Sequence, residues 1–449
     1  MLKAKIPALF LMLFLTASGL IAADNPLQTP KVWKKGQLHV HTLWSDGRDF
    51  PETMLAAYKK NAFDFVVITD HDVVGSDKDV YLQIFSTSGG WPPLASRDAF
   101  KRLQASAPAE LIKTKRIAYR TFVRLSPYDE LQKNWEIPGR FLILPGEEIT
   151  VFNVGKDRRQ VHVNYVNMTQ TILPQKGKDA AETLKISSDN ILKSAAKTPP
   201  KPVFFMANHP QWKLWDLQVE DFLQNPQYRH FELINGYYGF APPKKVHSLE
   251  QFWDIINAFR LINGQKIIYA VGSDDSHFGD AEHYGKVSGV NSAWVYVGLP
   301  DNEEFTHDNL VRALNEGRFY PSSGVEFESV KFDDKTRTLK VKVKAQPGRK
   351  YKIRFNATTA DFDRKTGSMF LQHGKLKHTV KTYSPEIGQT VKVVEGSTGE
   401  CKLLDNWLYL RATVISDEPL PREKNIWYDS EPFKKAWTQP VVNKKFLKK

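Results

Sequence analysis

The residues best suited to chemistry lie in six short motifs, all ahead of Phe278. They are His39-Val40-His41 followed by Ser45-Asp46-Gly47; Thr69-Asp70-His71-Asp72; Gly146-Glu147-Glu148-Ile149; Val161-His162-Val163-Asn164; Asn208-His209-Pro210; and Gly272-Ser273-Asp274-Asp275-Ser276-His277. Six of the chain's 12 histidines fall within them. Nine candidate metal ligands result: His39, His41, Asp46, His71, Glu148, His162, His209, Asp275 and His277. Asp275 and His277 are also the expected catalytic pair. In extended chain, residues two apart face one side. His39 with His41, and Asp275 with His277, can therefore converge on a common point. Packing several imidazoles together without a cation would leave polar groups unsatisfied or repelling. Imidazole and carboxylate suit Zn, Mn or Fe, and no thiolate narrows the choice. Nine ligands exceed the four of one tetrahedral ion, so two or three divalent metal ions are expected. Such a cluster lowers the pKa of a bound water and clamps the oxygens of a displacement, which is hydrolytic equipment best suited to phosphate esters.

These motifs need elements that bring them together, and each follows or ends a short apolar run. The spacing predicts strands over 37–41, 65–69, 141–144, 160–166, 203–206, 231–234, 267–271 and 292–297. It predicts helices over 51–61, 179–196, 249–261 and 307–316. Alternation of this kind implies parallel βαβ units, and repeated around one site it implies a barrel with its chemistry at the carboxyl ends of the strands. Residues 76–140 interrupt the pattern with a Gly/Pro-rich loop at 88–93 and a basic segment expected to be helical over 99–122. They read as an insertion over one side of the site. After Gly324 helix signals nearly vanish, and 325–441 reads as an all-β, sandwich-like domain. It holds His373 and His378, five apart and without a carboxylate partner at a ligand spacing. Glu232 and Asn235 end a strand and are expected to meet substrate or to hydrogen-bond structurally. Tyr320, Ser322 and Ser323 are expected at the mouth, and Arg411 reads as structural.

The motifs carry a family resemblance. L-H-V-H-T-L-W-S-D-G, F-V-V-I-T-D-H-D, L-P-G-E-E-I, A-N-H-P and G-S-D-D-S-H together resemble the signature of the PHP (polymerase and histidinol phosphatase) superfamily of metal-dependent phosphoesterases. The resemblance covers about 33–323 and implies a distorted (β/α)7 barrel. It also implies a division of ligands. One metal would take His39, His41 and Asp275 with Glu148 bridging; a second, Glu148, His162 and His209; a third, Asp46, His71 and His277. The family patterns Gly-x-Glu and Asp-x-His favour Glu148 over Glu147 and Asp275 over Asp274. A following all-β domain ending in A-W-T-Q-P-V resembles an exported branch that includes hydrolysers of carbamate esters such as carbaryl.

The bulk properties fit this reading. The chain has 449 residues, 41% hydrophobic and 25% charged, room for two or three domains with ordinary globular composition. Lys3 and Lys5 precede an apolar stretch from Ile6 to Leu15, and Ala22-Ala23-Asp24 follows. This reads as a secretory signal peptide over 1–23, so a periplasmic or secreted protein is expected. The stretch falls short of the ~20 residues of a spanning helix. A single cysteine, Cys401, excludes an intrachain disulfide. A formal charge of +13 would favour a small anionic substrate, and the chain carries no specific nucleic-acid motif. Three functions stay open: an exported phosphoesterase, a carboxyl or carbamate ester hydrolase using the same metals, and a non-catalytic metal-dependent binding protein.

Overall fold

The computed structural model describes residues 32–85, 94–197, 201–236, 246–280, 289–373, 375–420 and 432–447. The expected signal peptide and the loop at 88–93 lie outside them. The described chain is mixed α/β, with one large sheet and three smaller ones.

The large sheet runs in the order Tyr269–Ser273, His230–Asn235, Phe204–Ala207, Arg159–Val166, Leu142–Val154, Phe65–Ile68, Trp33–Gln37, Trp294–Gly298 and Phe319–Ser322. It continues through Phe433–Trp437, Trp407–Pro419, Tyr351–Thr359 and Gln389–Glu395. Trp33–Gln37, Phe65–Ile68 and Leu142–Val154 pair in parallel, as do Phe204–Ala207, His230–Asn235 and Tyr269–Ser273. Between these triplets Arg159–Val166 is antiparallel to both neighbours, and Trp294–Gly298 is antiparallel to Trp33–Gln37. The expected parallel βαβ units are thus joined by strands that run antiparallel. A short Gly155–Arg158 turn joins Leu142–Val154 to Arg159–Val166, where a parallel partner would need a crossover of a dozen or more residues. Beyond the first strand the chain reaches the segment after Tyr269–Ser273. Val40 bridges Ser276, and the His41 amide donates to the Ser276 carbonyl at 2.9 Å.

The apolar runs at 65–68, 142–144 and 269–271 are buried on both faces, as expected for strands flanked by helices. Helices Ala180–Ala195, Leu249–Ile262 and His307–Asn315 contribute Leu184, Ile191, Phe252, Ile256, Leu310 and Leu314 to the main core. Each begins on a side-chain cap: Asp179, Ser248 and Thr306 accept from the amides of Glu182, Gln251 and Asn309.

The 76–140 segment is not one long helix. Within the stretch 99–122 expected to be helical, the helix Arg97–Ser106, capped by Ser96, ends early, the chain then forms the hairpin Thr114–Ile117 with Arg120–Arg124, and a second helix follows over Tyr128–Trp135. The β-branched and aromatic residues of T-K-R-I and R-T-F-V-R fit strands better than helix. This unit packs Ala99, Leu103, Val123 and Leu125 against Leu43 and Phe50, in the segment that carries Asp46.

In the C-terminal region Phe327–Asp333, Thr338–Val343 and Thr398–Lys402 form a three-stranded sheet. Val330, Leu339 and Val341 pack on Ile353, Phe355 and Ala412 of the large sheet. Ser322 pairs with Ala436, so backbone hydrogen bonding continues from the motif-bearing region into the C-terminal strands. Tyr320, Ser322 and Ser323 serve this junction and not the mouth. Tyr320 Oη accepts from the Phe327 amide at 3.0 Å, Ser322 Oγ donates to the Val325 carbonyl, and the Lys435 amide donates to Ser323 Oγ at 2.9 Å. Arg411 is structural: its Nε and Nη2 fork onto the carboxylate of Asp254 at 2.8 and 2.5 Å. His378 is buried in the same way. Its Nδ1 lies 2.8 Å from the Leu214 carbonyl and its Nε2 3.2 Å from that of Asp157.

Candidate metal centre

Strand Trp33–Gln37 stops where Gln37 turns its side chain inward. Gln37 Oε1 accepts from the amides of Leu38, His39 and Asp274, standing in for a ladder partner. The extended chain beyond it sends Val40 into the cluster of Met54, Leu55 and Tyr58, and sends His39 and His41 the other way. The two imidazoles are fully buried, with their Nε2 atoms 3.1 Å apart. The following turn carries Asp46. Asp70 pins it by accepting from the Thr42 amide, Thr42 Oγ1 and Ser45 Oγ at 2.6–2.7 Å. Gly47 is required there, because a Cβ would lie 2.6 Å from the Thr42 backbone.

Glu148 lies at the middle of the cluster. Its Oε2 is 3.2 Å from His39 Nε2, 3.3 Å from His41 Nε2 and 3.0 Å from His71 Nδ1. Its Oε1 is 3.0 Å from His162 Nδ1 and 3.4 Å from His209 Nε2. Alternation along Leu142–Val154 points Glu147 to the opposite face, where it accepts from Tyr165 Oη and from the Ile172 amide. Burial pushes the Glu147 carboxyl up to about 8.

His162 reaches the cluster by a different route from its neighbours. It lies near the start of the antiparallel strand Arg159–Val166, opposite Thr150, and so shares an end with the carboxyl termini of the parallel strands. Its Nε2 is buried with no hydrogen-bond partner among the described residues.

Asp275 Oδ1 lies 2.9 Å from His41 Nε2 and 3.3 Å from His39 Nε2. Its backbone is left-handed, with φ +49°. Asp274 turns away and accepts from Tyr58 Oη and from the amides of Asn291, Ser292 and Ala293. His277 Nε2 is 3.3 Å from Asp46 Oδ1, and His71 Nε2 is 3.7 Å from Asp46 Oδ2.

All nine expected ligands thus meet in one cluster. Four triads have ligand atoms within 4.8 Å of one another: His39-His41-Glu148, His41-Asp275-His277, His41-Asp46-His71 and His71-Glu148-His162. His41 belongs to three of them, and His209 approaches through Glu148 alone. The donor set fits a cation. The Nε2 atoms of two imidazoles and the oxygens of two carboxylates lie 2.9–3.3 Å apart in a buried site, a donor set of the kind that holds divalent ions.

The electrostatics agree with the geometry. Burial disfavours charge on His39, yet the carboxylates of Asp275, Glu148 and Glu232 outweigh it and raise the imidazole well above its ordinary range. Burial likewise opposes ionisation of Glu148, but the surrounding His39, His71 and His162 hold it well below the usual carboxylate range. For His71 burial wins, and its pKa falls to about 3.

Supporting residues were less legible. Glu232 lies behind His39, not at a substrate position. Its Oε1 is 2.7 Å from His39 Nδ1, and its Oε2 accepts from the His209 amide and Asn235 Nδ2 at 2.8 Å. A carboxylate on Nδ1 fixes the tautomer that aims Nε2 into the cluster. Asn208 Nδ2 donates to Glu148 Oε1 at 2.7 Å, and Thr150 Oγ1 is 2.6 Å from His71 Nδ1. Asn208 carries a sequence signal, since it sits inside the A-N-H-P motif. Thr150 carries no such signal.

No protein-family model matches the chain, and no curated protein sequence matches it. Among solved structures it is similar to a two-domain protein from Bacteroides vulgatus containing a predicted PHP-like metal-dependent phosphoesterase. The identity is 13%, the coverage 92% of this chain and 98% of that one, and the TM-score 0.39. It is also similar to a proposed metal-dependent phosphoesterase from Bifidobacterium adolescentis, at 14% identity, 65% and 98% coverage and a TM-score of 0.27. Overlaps at this level do not fix a common fold.

Proposed function

We propose that the protein is an exported metal-dependent hydrolase of the PHP superfamily type, acting on phosphoesters. The observation that carries this reading is the convergence of six imidazoles and three carboxylates, from six separate motifs, around Glu148. His39, His41, Asp46, His71, Glu148, His162, His209, Asp275 and His277 would hold two or three ions. Bound there, such ions supply Lewis acidity and a water of lowered pKa.

The chain's own residues do the rest. Glu232 holds His39 in one tautomer through Nδ1. Asn208 orients the Glu148 carboxylate, and Asn235 reaches Asp275 Oδ2 at 3.3 Å. The Val40–Ser276 bridge brings the first and last motifs together, which supports a barrel-like closure. Among the described residues no helix is long and apolar enough to cross a membrane. The export reading rests on the N-terminal sequence pattern. N-terminal sequencing of secreted material should find a start near Asp24.

A second reading, a carboxyl or carbamate ester hydrolase, is favoured by aromatic groups beside the cluster. The half-exposed Phe152 ring lies 5.7 Å from that of His162, and the Trp212 ring 5.5 Å from that of His209. These suit a substrate with an apolar portion. One assay set separates the readings. Full-length protein reconstituted with Mn, Fe or Zn is given phosphomonoester, phosphodiester and carboxyl ester chromogenic substrates side by side. Phosphoester turnover lost in His39→Ala/His41→Ala supports the first reading. Turnover of carboxyl esters alone supports the second. Two bound ions with no turnover of any ester would leave a binding protein.

A further inference from the structure

Residues 111–128 contain no acidic side chain and carry Lys113, Lys115, Arg116, Arg120 and Arg124. These cations lie on or beside the hairpin Thr114–Ile117 with Arg120–Arg124, which pairs onward with strand Tyr81–Phe85. Register fixes what each side of this small sheet presents. Lys115 and Gln83 both stand opposite Phe122, and Ile117 stands opposite Arg120. Directly opposed residues of an antiparallel pair point to one side. Leu82, Ile84 and Val123, on the other side, pack into the cluster shared with Leu43 and Phe50. Lys115, Ile117 and Arg120 therefore face away from that cluster, and Arg116 alternates to the opposite side.

Lys113 and Arg124 pair with Glu130, the first at 3.7 Å and the second through a two-nitrogen fork. The other three cations form no ion pair among the described residues. Lys115 Nζ lies 3.8 Å from the centre of the Tyr81 ring, and Arg120 Nη1 donates to Gln83 Oε1 at 3.3 Å. Lys115, Arg116 and Arg120 are all exposed. Beyond them the chain turns through Ala118, in left-handed backbone at φ +51°, and Tyr119. Apolar side chains gather at this end: Ile117 is 55% exposed, Tyr119 78% and Phe85 36%. Phe85 belongs there because it lies two residues past Gln83, toward Arg120. Adjacent exposed apolar groups ringed by polar ones mark an interaction surface. A linear polyanion lying on the sheet would need its cations on one side. Here they surround the tip, and the apolar groups project past them. That order matches a bilayer interface, where aromatic rings settle among the headgroups and basic side chains reach the phosphates.

We propose that this hairpin tip is a docking surface for an anionic lipid bilayer. Phe85, Ile117 and Tyr119 enter the headgroup layer, and Lys115, Arg116 and Arg120 pair with lipid phosphates. The inner side of the same sheet packs on Leu43 and Phe50, on either side of Asp46 in the chain, so docking couples the membrane contact to the segment that carries this candidate ligand.

Co-sedimentation of the full-length protein with vesicles tests this, using phosphatidylglycerol mixed with phosphatidylcholine, phosphatidylcholine alone, and polyphosphate as a soluble polyanion. The wild type should bind the anionic vesicles at least about tenfold more tightly than the neutral ones, and less tightly as salt is raised. Lys115→Gln/Arg116→Gln/Arg120→Gln should weaken that binding about tenfold or more, and Ile117→Ser/Tyr119→Ser about fivefold or more. All five positions are exposed, so the fold should survive both sets. An environment-sensitive fluorophore on Tyr119→Cys reads the tip itself, whatever else in the chain meets lipid, because the native Cys401 is buried. Its emission should shift to the blue on anionic vesicles. The proposal is overturned if the fluorophore does not shift, if anionic vesicles are bound no better than neutral ones, or if binding survives both sets of substitutions. It is also overturned if polyphosphate binds and Ile117→Ser/Tyr119→Ser leaves vesicle binding unchanged, which would mark a site for a soluble polyanion.

Discussion

Two buried clusters of charge sit in this molecule, and they are built on opposite plans. Around Arg411 the carboxylates of Asp254 and Glu250 meet arginine and lysine, whose positive charge is covalently part of the chain. Around Glu148 the partners of the carboxylates are six imidazoles, whose charge comes only with an added proton. The first cluster pairs fixed charges of both signs and holds the C-terminal strands to helix Leu249–Ile262. The second is balanced only by exchangeable cations, whether protons or the proposed metal ions, and a site of that kind could exchange ligands and activate water. Buried charge alone therefore does not mark a functional site. The kind of counter-charge does.

Removing one partner from each cluster should produce opposite phenotypes. Arg411→Met leaves the buried Asp254 carboxylate without its ion-pair partner, held only by Tyr409 Oη, and should lower folding stability by about 3–5 kcal/mol in urea denaturation. Metal content per folded chain should stay unchanged. Glu148→Gln should do the reverse. Turnover should fall at least about a thousandfold, ~4 kcal/mol of transition-state stabilisation, with bound metal lost by elemental analysis. If Glu148→Gln keeps both metal and turnover, the centre of the cluster is misplaced.

A finer comparison lies within the metal cluster, between Glu148, which faces the ligands, and Glu232, which stands behind one. Glu232→Gln should weaken metal affinity by about 10–100-fold and leave the fold intact. Metal titration of the chelated protein measures this. An unchanged affinity would make Glu232 a packing residue only.

The smallest effect concerns a third arrangement, a partly buried cation held by amide oxygens. Lys35 Nζ donates to Asn291 Oδ1 at 2.7 Å and to the Asn61 carbonyl at 3.2 Å. Burial lowers its pKa to about 8, against partial opposition from Asp274, Glu326 and Asp64. The folded state therefore binds fewer protons than the unfolded one between pH 8 and the ordinary lysine value of 10.5. Stability should rise with pH across that window, and Lys35→Met should flatten this part of the profile. A wild-type minus Lys35→Met difference that falls with pH would reverse the assignment.

The ligand types and their motifs could be read from the chain because chemistry constrains them locally. His-x-His and Asp-x-His spacings need only extended backbone to aim both side chains one way. The choice of Glu148 over Glu147 follows from alternation once Leu142–Val154 is known to be a strand. The expected helices over 179–196 and 249–261 match Ala180–Ala195 and Leu249–Ile262, which Asp179 and Ser248 cap. The 99–122 segment was misread, because its alternating T-K-R-I and R-T-F-V-R runs were outweighed by a helix signal that ends at Ser106. His378 looked idle in the sequence, yet it ties its strand to the carbonyls of Leu214 and Asp157, 164 and 221 residues away in the chain. Substituting it should destabilise the fold.

The sequence by itself determined which residues could bind metal, and that all nine precede a strand-rich C-terminal region. Those follow from side-chain chemistry and from periods of two and 3.6 residues, which are local. Only the tertiary structure decided that Arg159–Val166 runs antiparallel and so delivers His162 from its opposite end. It alone decided that Glu232 stands behind His39, and that Arg354, Arg411 and Lys435 share Glu250 and Asp254. Each of these is a pairing between residues distant in sequence. Such pairings are fixed by burial and by strand partnership, and neither leaves a periodic trace in the chain.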